Sequence, residues 1–269
     1  MPESEILAGG VANAGAVVRV GDEVLRPAGA HTAAIHALLT HVRRAGFEGV
    51  PEPLGFAGDG RERLRFIAGD VPLPPFPAWS KSDEALASTA RLLRRFHDAT
   101  AGFHEPADAA WNLDRADPSG GEVICHNDVC PENVVYRGGV AVALLDFDLA
   151  APGRRVFDLA SLAIMCIPLD SPADAARTGR DDLDPFRRLR LVADAYGLPS
   201  NRNDLVAAIA ERFADLGTSV RRRAENGDVA FKAMWVEIGG QERYVRRRDW
   251  FEENRARFVT SLDSTRPSP

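Results

Sequence analysis

The segment from residue 123 to residue 146 constrains the fold of this 269-residue chain more than any other part of the sequence. It opens with a short apolar run, Val123-Ile-Cys125, which is typical of a buried strand. Two further β-prone runs follow, and Gly138-Gly139 between them predicts a tight hairpin turn. Because a hairpin brings its two ends together, we expect Asn133 before the first run and Asp146 after the second to face one point.

Polar side chains gather at the same place. His126, Asn127 and Asp128 follow the first strand directly. The amide oxygen of Asn133 and the carboxylate of Asp146 are hard ligands of the kind that Mg²⁺ prefers when it also binds phosphate oxygens. Asp128 lies on the loop beside them, where a carboxylate can accept a proton from an attacking hydroxyl. A metal ion on the phosphates and a group that orients the nucleophile are the parts that phosphoryl transfer requires.

The spacing His-x-Asp-x-x-x-x-Asn, followed by Asp-Phe-Asp, resembles the catalytic loop and metal-binding turn of the protein-kinase superfamily. The variant is that of the aminoglycoside phosphotransferase and choline kinase branch, which this chain also resembles at Leu92–His97 and Phe157–Ala160. The similarity covers residues 5–258 but is sharp only from His126 to Asp158. It implies that Asp158 helps to hold the catalytic loop. It implies a two-lobed α+β kinase-like fold, with an antiparallel-sheet N-lobe, a mainly helical C-lobe and a nucleotide between them.

The resemblance also implies a role for each residue that matches the motif. Asp128 takes the position of the catalytic base, and His126 that of the residue that braces the catalytic loop. Asn133 and Asp146 take the positions of the metal ligands. Asp148 stands where protein kinases have glycine. It is either a second metal contact or a hydrogen-bond acceptor that does not touch the metal itself.

The N-terminal part of the chain supplies candidate contacts to a nucleotide. A glycine-rich stretch precedes two short β-prone runs, as expected for a loop whose backbone N–H groups cover phosphates. Its candidate residues are Gly9, Gly10 and Gly15. By resemblance alone, the hinge that contacts adenine consists of Phe66, Ile67 and Ala68. The implied co-substrate is ATP or GTP, bound together with Mg²⁺.

One position departs from the family pattern. Kinase-like folds place a lysine on the third strand and pair it with a glutamate on the next helix, but this chain has no lysine before Lys81. Arg26 stands at the strand position, and the helix offers His36 where glutamate is expected, with Glu48 beyond it, so Arg26 lacks the usual anionic partner. We favour Arg26 as the substitute because arginine binds phosphate through two parallel hydrogen bonds. The alternatives are Arg19 on the neighbouring strand and a degenerate nucleotide site.

The proline-rich stretch from 68 to 77 marks the expected lobe boundary. We therefore predict an N-lobe at residues 1–67, a linker at 68–77 and a C-lobe at 78–269. The formal net charge of −6 argues against a nucleic-acid-binding protein, which needs a concentrated positive field.

Other features predict a cytoplasmic protein that does not enter a membrane. The N-terminus has no basic start and no long apolar core, so no secretory signal is predicted. The longest apolar run, Leu159–Leu169, is too short to cross a bilayer. The three cysteines cannot all form disulfides with one another, so we expect them to be reduced thiols.

The function predicted from the sequence is transfer of the γ-phosphate of ATP or GTP to a hydroxyl of a small molecule, an antibiotic or a metabolite. Acidic residues after the metal-binding turn predict an acidic wall on the substrate side, which favours a cationic acceptor. These residues are Asp170, Asp174, Asp181, Asp182 and Asp184. The identity of the acceptor and the oligomeric state stay open.

Two other classes of protein remain. The missing lysine–glutamate pair leaves open a catalytically degenerate binding or immunity protein. A metal-dependent hydrolase built on His126, Asp128 and Asp146 is the other alternative, which is disfavoured because the chain has six histidines and no second cluster of them.

Overall fold

A sheet of five antiparallel strands occupies the N-terminal part of the chain in the computed structural model, which describes residues 4–7, 13, 15–107, 109–198 and 202–263. Its strands are β1 Ser4–Ile6, β2 Val18–Val20, β3 Glu23–Arg26, β4 Pro53–Phe56 and β5 Glu62–Arg65. They are arranged in the order β1-β2-β3-β5-β4. β5 therefore lies beside β3, and the two pair residue by residue, from Glu23 opposite Arg65 to Arg26 opposite Glu62.

One helix, α1 Thr32–Arg44, connects β3 to β4. Its apolar residues recur at helical spacing, and Ile35, Leu38, Leu39 and Val42 are all buried on the same face. Gly46 follows with φ of 89°, a left-handed conformation that favours glycine and ends the helix.

The remainder of the chain is mainly helical. The helices are α2 Asp83–Ala99, α3 Arg155–Cys166, α4 Pro172–Ala176, α5 Pro185–Tyr196, α6 Asn203–Asp215, α7 Thr218–Glu225, α8 Val229–Glu237, α9 Gly240–Glu253 and α10 Arg255–Asp263. The strands are β6 Val123–Cys125, β7 Val134–Arg137, β8 Val140–Leu144 and β9 Ala151–Gly153, and 3-10 helices span Ala78–Lys81 and Pro131–Asn133. α2 packs against α5 and β8, and α3 packs against α6, around a core with fully buried Leu93, Phe96 and Leu159. Within the described ranges, no helix has the length and apolar character needed to cross a membrane.

The hairpin predicted from the sequence is confirmed. β7 and β8 pair antiparallel, with Val134 opposite Leu144. The backbone N–H of Leu145 donates to the carbonyl oxygen of Asn133 at 2.8 Å, so the two ends of the hairpin meet. β6 pairs with β9, and its C-terminal end leads into the loop that carries Asp128.

The segment that follows the sheet is fixed to β7. Asp70 and Tyr136 exchange two backbone hydrogen bonds of 2.8 Å. Gly69 approaches the same strand so closely that a Cβ atom would lie 2.6 Å from the carbonyl oxygen of Tyr136. A glycine is therefore required where the chain passes from the sheet to the helical part, and the predicted lobe bounds stay a prediction.

Candidate active site

The loop after β6 is held in place by Asp158 of α3, which is fully buried. Its carboxylate accepts the backbone N–H of His126 at 2.7 Å and that of Asn127 at 2.8 Å. The Nε2 atom of His97 lies 2.9 Å from the same carboxylate, and its Nδ1 atom lies 2.7 Å from the hydroxyl of Tyr196. A series of hydrogen bonds therefore runs from the end of α5 through His97 and Asp158 to the loop.

Asp158 is ionised in the folded protein. Complete burial raises the pKa of its carboxyl, but the hydrogen bond with His97 and the charges of the nearby histidines and Arg212 lower it further, to about 2. An aspartate in an unfolded chain titrates at about 3.9. Because the folded-state pKa is the lower one, the carboxylate stabilises the fold above about pH 4, and this contribution is lost as the pH falls toward about 2.

Replacing Asp158 with asparagine is expected to lower the free energy of unfolding by about 2–4 kcal/mol, because one buried donor then faces an amide NH₂ instead of an oxygen. Urea denaturation at neutral pH measures this loss. Asp98→Asn is the control, since Asp98 is a half-exposed residue of α2 whose ion pairs are worth less than about 1 kcal/mol. Equal losses in the two variants would contradict the bracing role, as would a difference between the wild type and Asp158→Asn that does not shrink below about pH 4.

His126 is also completely buried, and its contacts are internal. Its Nε2 atom lies 2.8 Å from the carbonyl oxygen of Leu145, and its Nδ1 accepts the backbone N–H of Asp128 at 3.3 Å. The ring packs against Phe147 with 4.6 Å between centroids. These contacts connect the loop to the segment that carries Asp146, and the bracing role of His126 stays a prediction.

Asp128 is anchored by two neighbours. Asn133 Nδ2 donates to its Oδ2 and to its backbone oxygen, both at 3.0 Å. Nη1 of Arg115 lies 2.5 Å from its Oδ1. The side chain of Asp128 is 24% exposed, so a ligand can still approach it. No sequence signal indicated Arg115, which lies in the irregular segment between α2 and β6.

Arg212 of α6 is a second residue that the sequence did not indicate. Its Nη2 donates to Oδ1 of Asn127 at 2.6 Å, and its Nε donates to the carbonyl oxygen of Phe157 at 2.8 Å. The residue is only 6% exposed. Arg212 therefore connects α6 to the loop after β6.

Arg26 connects the sheet to the turn that carries Asp146 and Asp148. Its Nε lies 2.9 Å from Oε1 of Glu62, its Nη1 lies 3.3 Å from Oδ1 of Asp146, and its Nη2 pairs with Asp148. Burial lowers the pKa of the guanidinium, but the three carboxylates outweigh burial and raise it overall. The helix supplies no glutamate for Arg26, as expected, but a strand supplies an anionic partner that the sequence did not indicate. Glu62 faces Arg26 across the β3–β5 pair and is itself 3.0 Å from Nε2 of His36.

Arg26→Ala is expected to weaken binding of Mg-ATP by about tenfold or more, because a charge-assisted contact is worth about 1.5–3 kcal/mol. Arg26→Lys should retain most of the affinity, since it keeps a cation beside Glu62. Calorimetric dissociation constants test both variants. Arg63→Ala is the matched control, because Arg63 lies on β5 of the same sheet and binds Glu23 instead. Unchanged affinity in Arg26→Ala would show that Arg26 does not replace the lysine.

Asn133 and Asp146 fit a magnesium ion. Asn133 turns its Nδ2 toward Asp128, and among the described residues none donates to its Oδ1. Asp146 adopts φ of 58°, and it lines one cavity together with Asn133. The pair therefore offers an amide oxygen and a carboxylate oxygen, the hard donors that Mg²⁺ takes. Asp148 instead pairs with Arg26 and lies 3.5 Å from Nδ2 of Asn13, so its role as a metal contact stays a prediction.

A cavity of about 370 Å³ separates the sheet from the β7–β8 hairpin. Its polar lining includes Arg26, Asn133 and Asp146, together with Glu5, Arg19, Arg65 and Glu132. Its apolar lining includes Leu7, Val17, Leu64, Phe66, Ile67 and Leu73. A cavity with walls of both kinds fits a ligand that has charged groups and a flat apolar group.

The remaining nucleotide candidates are placed as follows. The guanidinium of Arg19 lies 3.8 Å from the centroid of the Phe66 ring and forms part of the cavity wall. Among the described residues, it does not pair with the carboxylates that bind Arg26. Ala68 does not line the cavity, and its carbonyl oxygen accepts from Nε of Arg137 at 3.0 Å. Gly15 has φ of 75°, as a glycine turn requires. The other two candidates, Gly9 and Gly10, lie outside the described residues.

Two of the five aspartates predicted to form an acidic wall are neutralised. Asp170 pairs with Arg247 at 2.6 Å, and Asp174 pairs with Arg246 at 3.1 Å. Asp184 caps the N-terminus of α5 but is exposed, as are Asp181 and Asp182. Arginines far along the chain therefore weaken the argument for a cationic acceptor, and the acidic wall stays a prediction.

Two matches to known proteins identify the family. Residues 105–192, which contain Asp128, Asn133 and Asp146, match the sequence profile of the phosphotransferase enzyme family. A trifolitoxin immunity protein of Rhizobium leguminosarum bv. trifolii is 36% identical over 187 residues, which cover 68% of this chain and 70% of that protein. The chain belongs to the phosphotransferase enzyme family.

The fold of this phosphotransferase-family chain is that of the kinase-like proteins. A choline/ethanolamine kinase family protein from Mesorhizobium loti superposes with a TM-score of 0.65 at 18% identity, covering 97% of this chain and 92% of that one. The ternary complex of streptomycin, ATP and APH(2″)-IIa superposes with a TM-score of 0.50 at 14% identity, covering 86% of this chain and 90% of that one. The α+β kinase-like fold predicted from the sequence is confirmed.

Proposed function

We propose that this chain transfers the γ-phosphoryl group of ATP or GTP to a hydroxyl of a small molecule, with Mg²⁺ bound at Asn133 and Asp146. The observation that carries the proposal is that Asn133 and Asp146 both line the cavity described above, while Asn133 donates to the carboxylate of Asp128 beside it. These side chains supply the group that orients the nucleophile and the ligands of the metal. The complex with ATP of APH(2″)-IIa, which shares the fold, supports a nucleotide in this cavity.

In the proposed reaction, Asp128 orients the acceptor hydroxyl and accepts its proton. The hydroxyl oxygen forms a bond to the γ-phosphorus, and the bond from that phosphorus to the β,γ-bridging oxygen breaks in line. The nucleoside diphosphate leaves with the electron pair of the broken bond. Bound Mg²⁺ supplies charge neutralisation on the phosphate oxygens. Arg26 is placed to supply a further positive charge in the same cavity.

The test is a measurement of ATP and GTP binding with and without Mg²⁺, followed by mass spectrometric detection of phosphorylated products in a panel of hydroxyl-bearing antibiotics and metabolites. Metal-dependent nucleotide binding together with one phosphorylated acceptor would support the proposal. Absence of nucleotide binding at any magnesium concentration would overturn it.

A binding or immunity role without transfer is the second candidate, favoured by the name of the trifolitoxin immunity relative. The geometry gives it less support. The missing lysine–glutamate pair is its evidence in the sequence, and Arg26 forms a comparable pair with Glu62. Nucleotide binding without turnover, unaffected by replacement of Asp128, is the result that would favour this candidate.

A further inference from the structure

A second cavity, of about 450 Å³, lies beside the catalytic loop. It shares no lining residue with the cavity of about 370 Å³ that is proposed to bind the nucleotide (the nucleotide cavity). Its walls come from the segment 113–118, from Phe157 and from α6 and the turn after it. Arg115 lines this cavity and at the same time contacts Asp128, so a molecule bound here lies next to the proposed base.

The acidic side chains of the cavity wall are already neutralised. Asp117 receives three hydrogen bonds from Arg154, through the backbone N–H, Nε and Nη2. Asp114 pairs with Arg222 at 2.5 Å. Arg154 and Arg222 do not line the cavity, so the cationic groups that do are those of Arg115 and Arg212.

Arg115 has unused hydrogen-bonding capacity. Only its Nη1 is engaged, by Asp128, and among the described residues none accepts a hydrogen bond from its Nε or Nη2. The side chain is 21% exposed. A guanidinium with free donors on two adjacent nitrogens matches the two oxygens of a carboxylate or phosphate.

Arg212 adds a second positive charge to the cavity wall. Its hydrogen bonds go to neutral oxygens of Phe157, Asn127 and Arg115, the last at 3.4 Å, and no carboxylate of the described residues forms an ion pair with it. Burial and the neighbouring Arg115 lower the pKa of Arg212 to about 10, against the opposing charges of Asp158 and Asp117, so it is still charged at neutral pH. An anion in the cavity would add to the partial compensation that these two carboxylates give without contact.

We propose that the acceptor carries an oxyanionic group, a carboxylate or a phosphate, that binds Arg115 in this cavity within a few bonds of the hydroxyl that is phosphorylated. This inference rests on the proposed phosphotransfer. Arg115 is then a specificity-determining residue, because it contacts both the acceptor's anion and Asp128. The charge of Arg212 strengthens the preference for an anion.

Calorimetry with the full chain saturated with Mg-ADP tests the proposal on four compounds of similar size. Glycerate and glycerol 3-phosphate carry the two oxyanions, glycerol carries none, and ethanolamine is a cation. At least one oxyanionic compound is expected to bind about tenfold or more tightly than glycerol and ethanolamine, as a charge-assisted contact allows. The ratio of the two oxyanions shows whether a carboxylate or a phosphate is preferred. Oxyanion binding no tighter than that of glycerol, or undetectable, would overturn the inference.

Variants of Arg115 identify the group responsible. Arg115→Gln is expected to remove the advantage of the oxyanions while Mg-ADP affinity is unchanged, and Arg115→Lys is expected to keep part of it. Arg91→Gln is the control, since Arg91 pairs with Glu84 on the exposed face of α2. Unchanged oxyanion affinity in a folded Arg115→Gln protein, verified by thermal unfolding, would overturn the assignment. Failure of Mg-ADP itself to bind would instead overturn the proposed function, and the inference with it.

Discussion

Asp128→Asn is expected to bind Mg-ATP as the wild type does and to transfer phosphate about 10²–10⁴-fold more slowly. Asparagine has nearly the same shape, so the loop should still fold with one of the two donors, Asn133 or Arg115, bound to the remaining oxygen. The amide cannot accept the acceptor's proton. Deprotonation is late in a loose phosphoryl-transfer transition state, so the effect belongs in the lower half of that range, about 10²–10³-fold.

The comparison uses the turnover number with an identified acceptor, or slow ATP hydrolysis as a proxy, alongside the dissociation constant of Mg-ATP. Asp98→Asn makes the same chemical change on the exposed surface of α2 and should leave both quantities unchanged. Full turnover with intact affinity in Asp128→Asn would remove the assignment of Asp128 as the base. The binding or immunity candidate would then be preferred.

Asp146→Asn is expected to weaken nucleotide binding in the presence of Mg²⁺ by about tenfold or more, so that most of the metal dependence of binding is lost. Transfer is expected to be lost with it. Asparagine is the appropriate replacement because Asp146 has φ of 58°, a left-handed conformation that asparagine tolerates better than alanine. Titration of ATP affinity against Mg²⁺ concentration measures the effect.

Asp148→Asn provides the matched comparison two residues away. Asp148 pairs with Arg26 and does not line the nucleotide cavity, so its replacement should reduce metal dependence less than that of Asp146. A greater loss of metal dependence in Asp148→Asn would assign Asp148 as the principal metal ligand. The two variants therefore separate the alternatives that the sequence left for Asp148.

The catalytic hairpin could be predicted from sequence because all of its information is local. A strand, a polar loop, two β-prone runs and a glycine turn lie within 24 consecutive residues of the chain, from 123 to 146. Turn chemistry and strand length then determine that Asn133 and Asp146 meet, and the backbone hydrogen bond between Leu145 and Asn133 confirms it. The apolar spacing of α1 is local in the same sense.

The arginine contacts could not be predicted because they depend on pairing between distant segments. Glu62 meets Arg26 only through the register of β5 against β3, which cannot be deduced from the sequence. Arg115 reaches Asp128 from an irregular segment, and Arg212 reaches Asn127 from α6, 85 residues away. With 33 basic residues of which two are lysines, no single arginine stands out in composition. The neutralisation of Asp170 and Asp174 could not be predicted for the same reason, since their partners Arg247 and Arg246 lie in α9.

The hydrogen bonds from Tyr196 through His97 to Asp158 alter what a genetic selection on this protein would report. Tyr196 is buried at the C-terminal end of α5 and lines neither the nucleotide cavity nor the one beside Arg115. Its hydroxyl nevertheless orients the histidine that holds the aspartate beneath the catalytic loop. A map of loss-of-function variants would therefore extend from the loop to this helix, and positions that contact no ligand would be as intolerant of change as those that do.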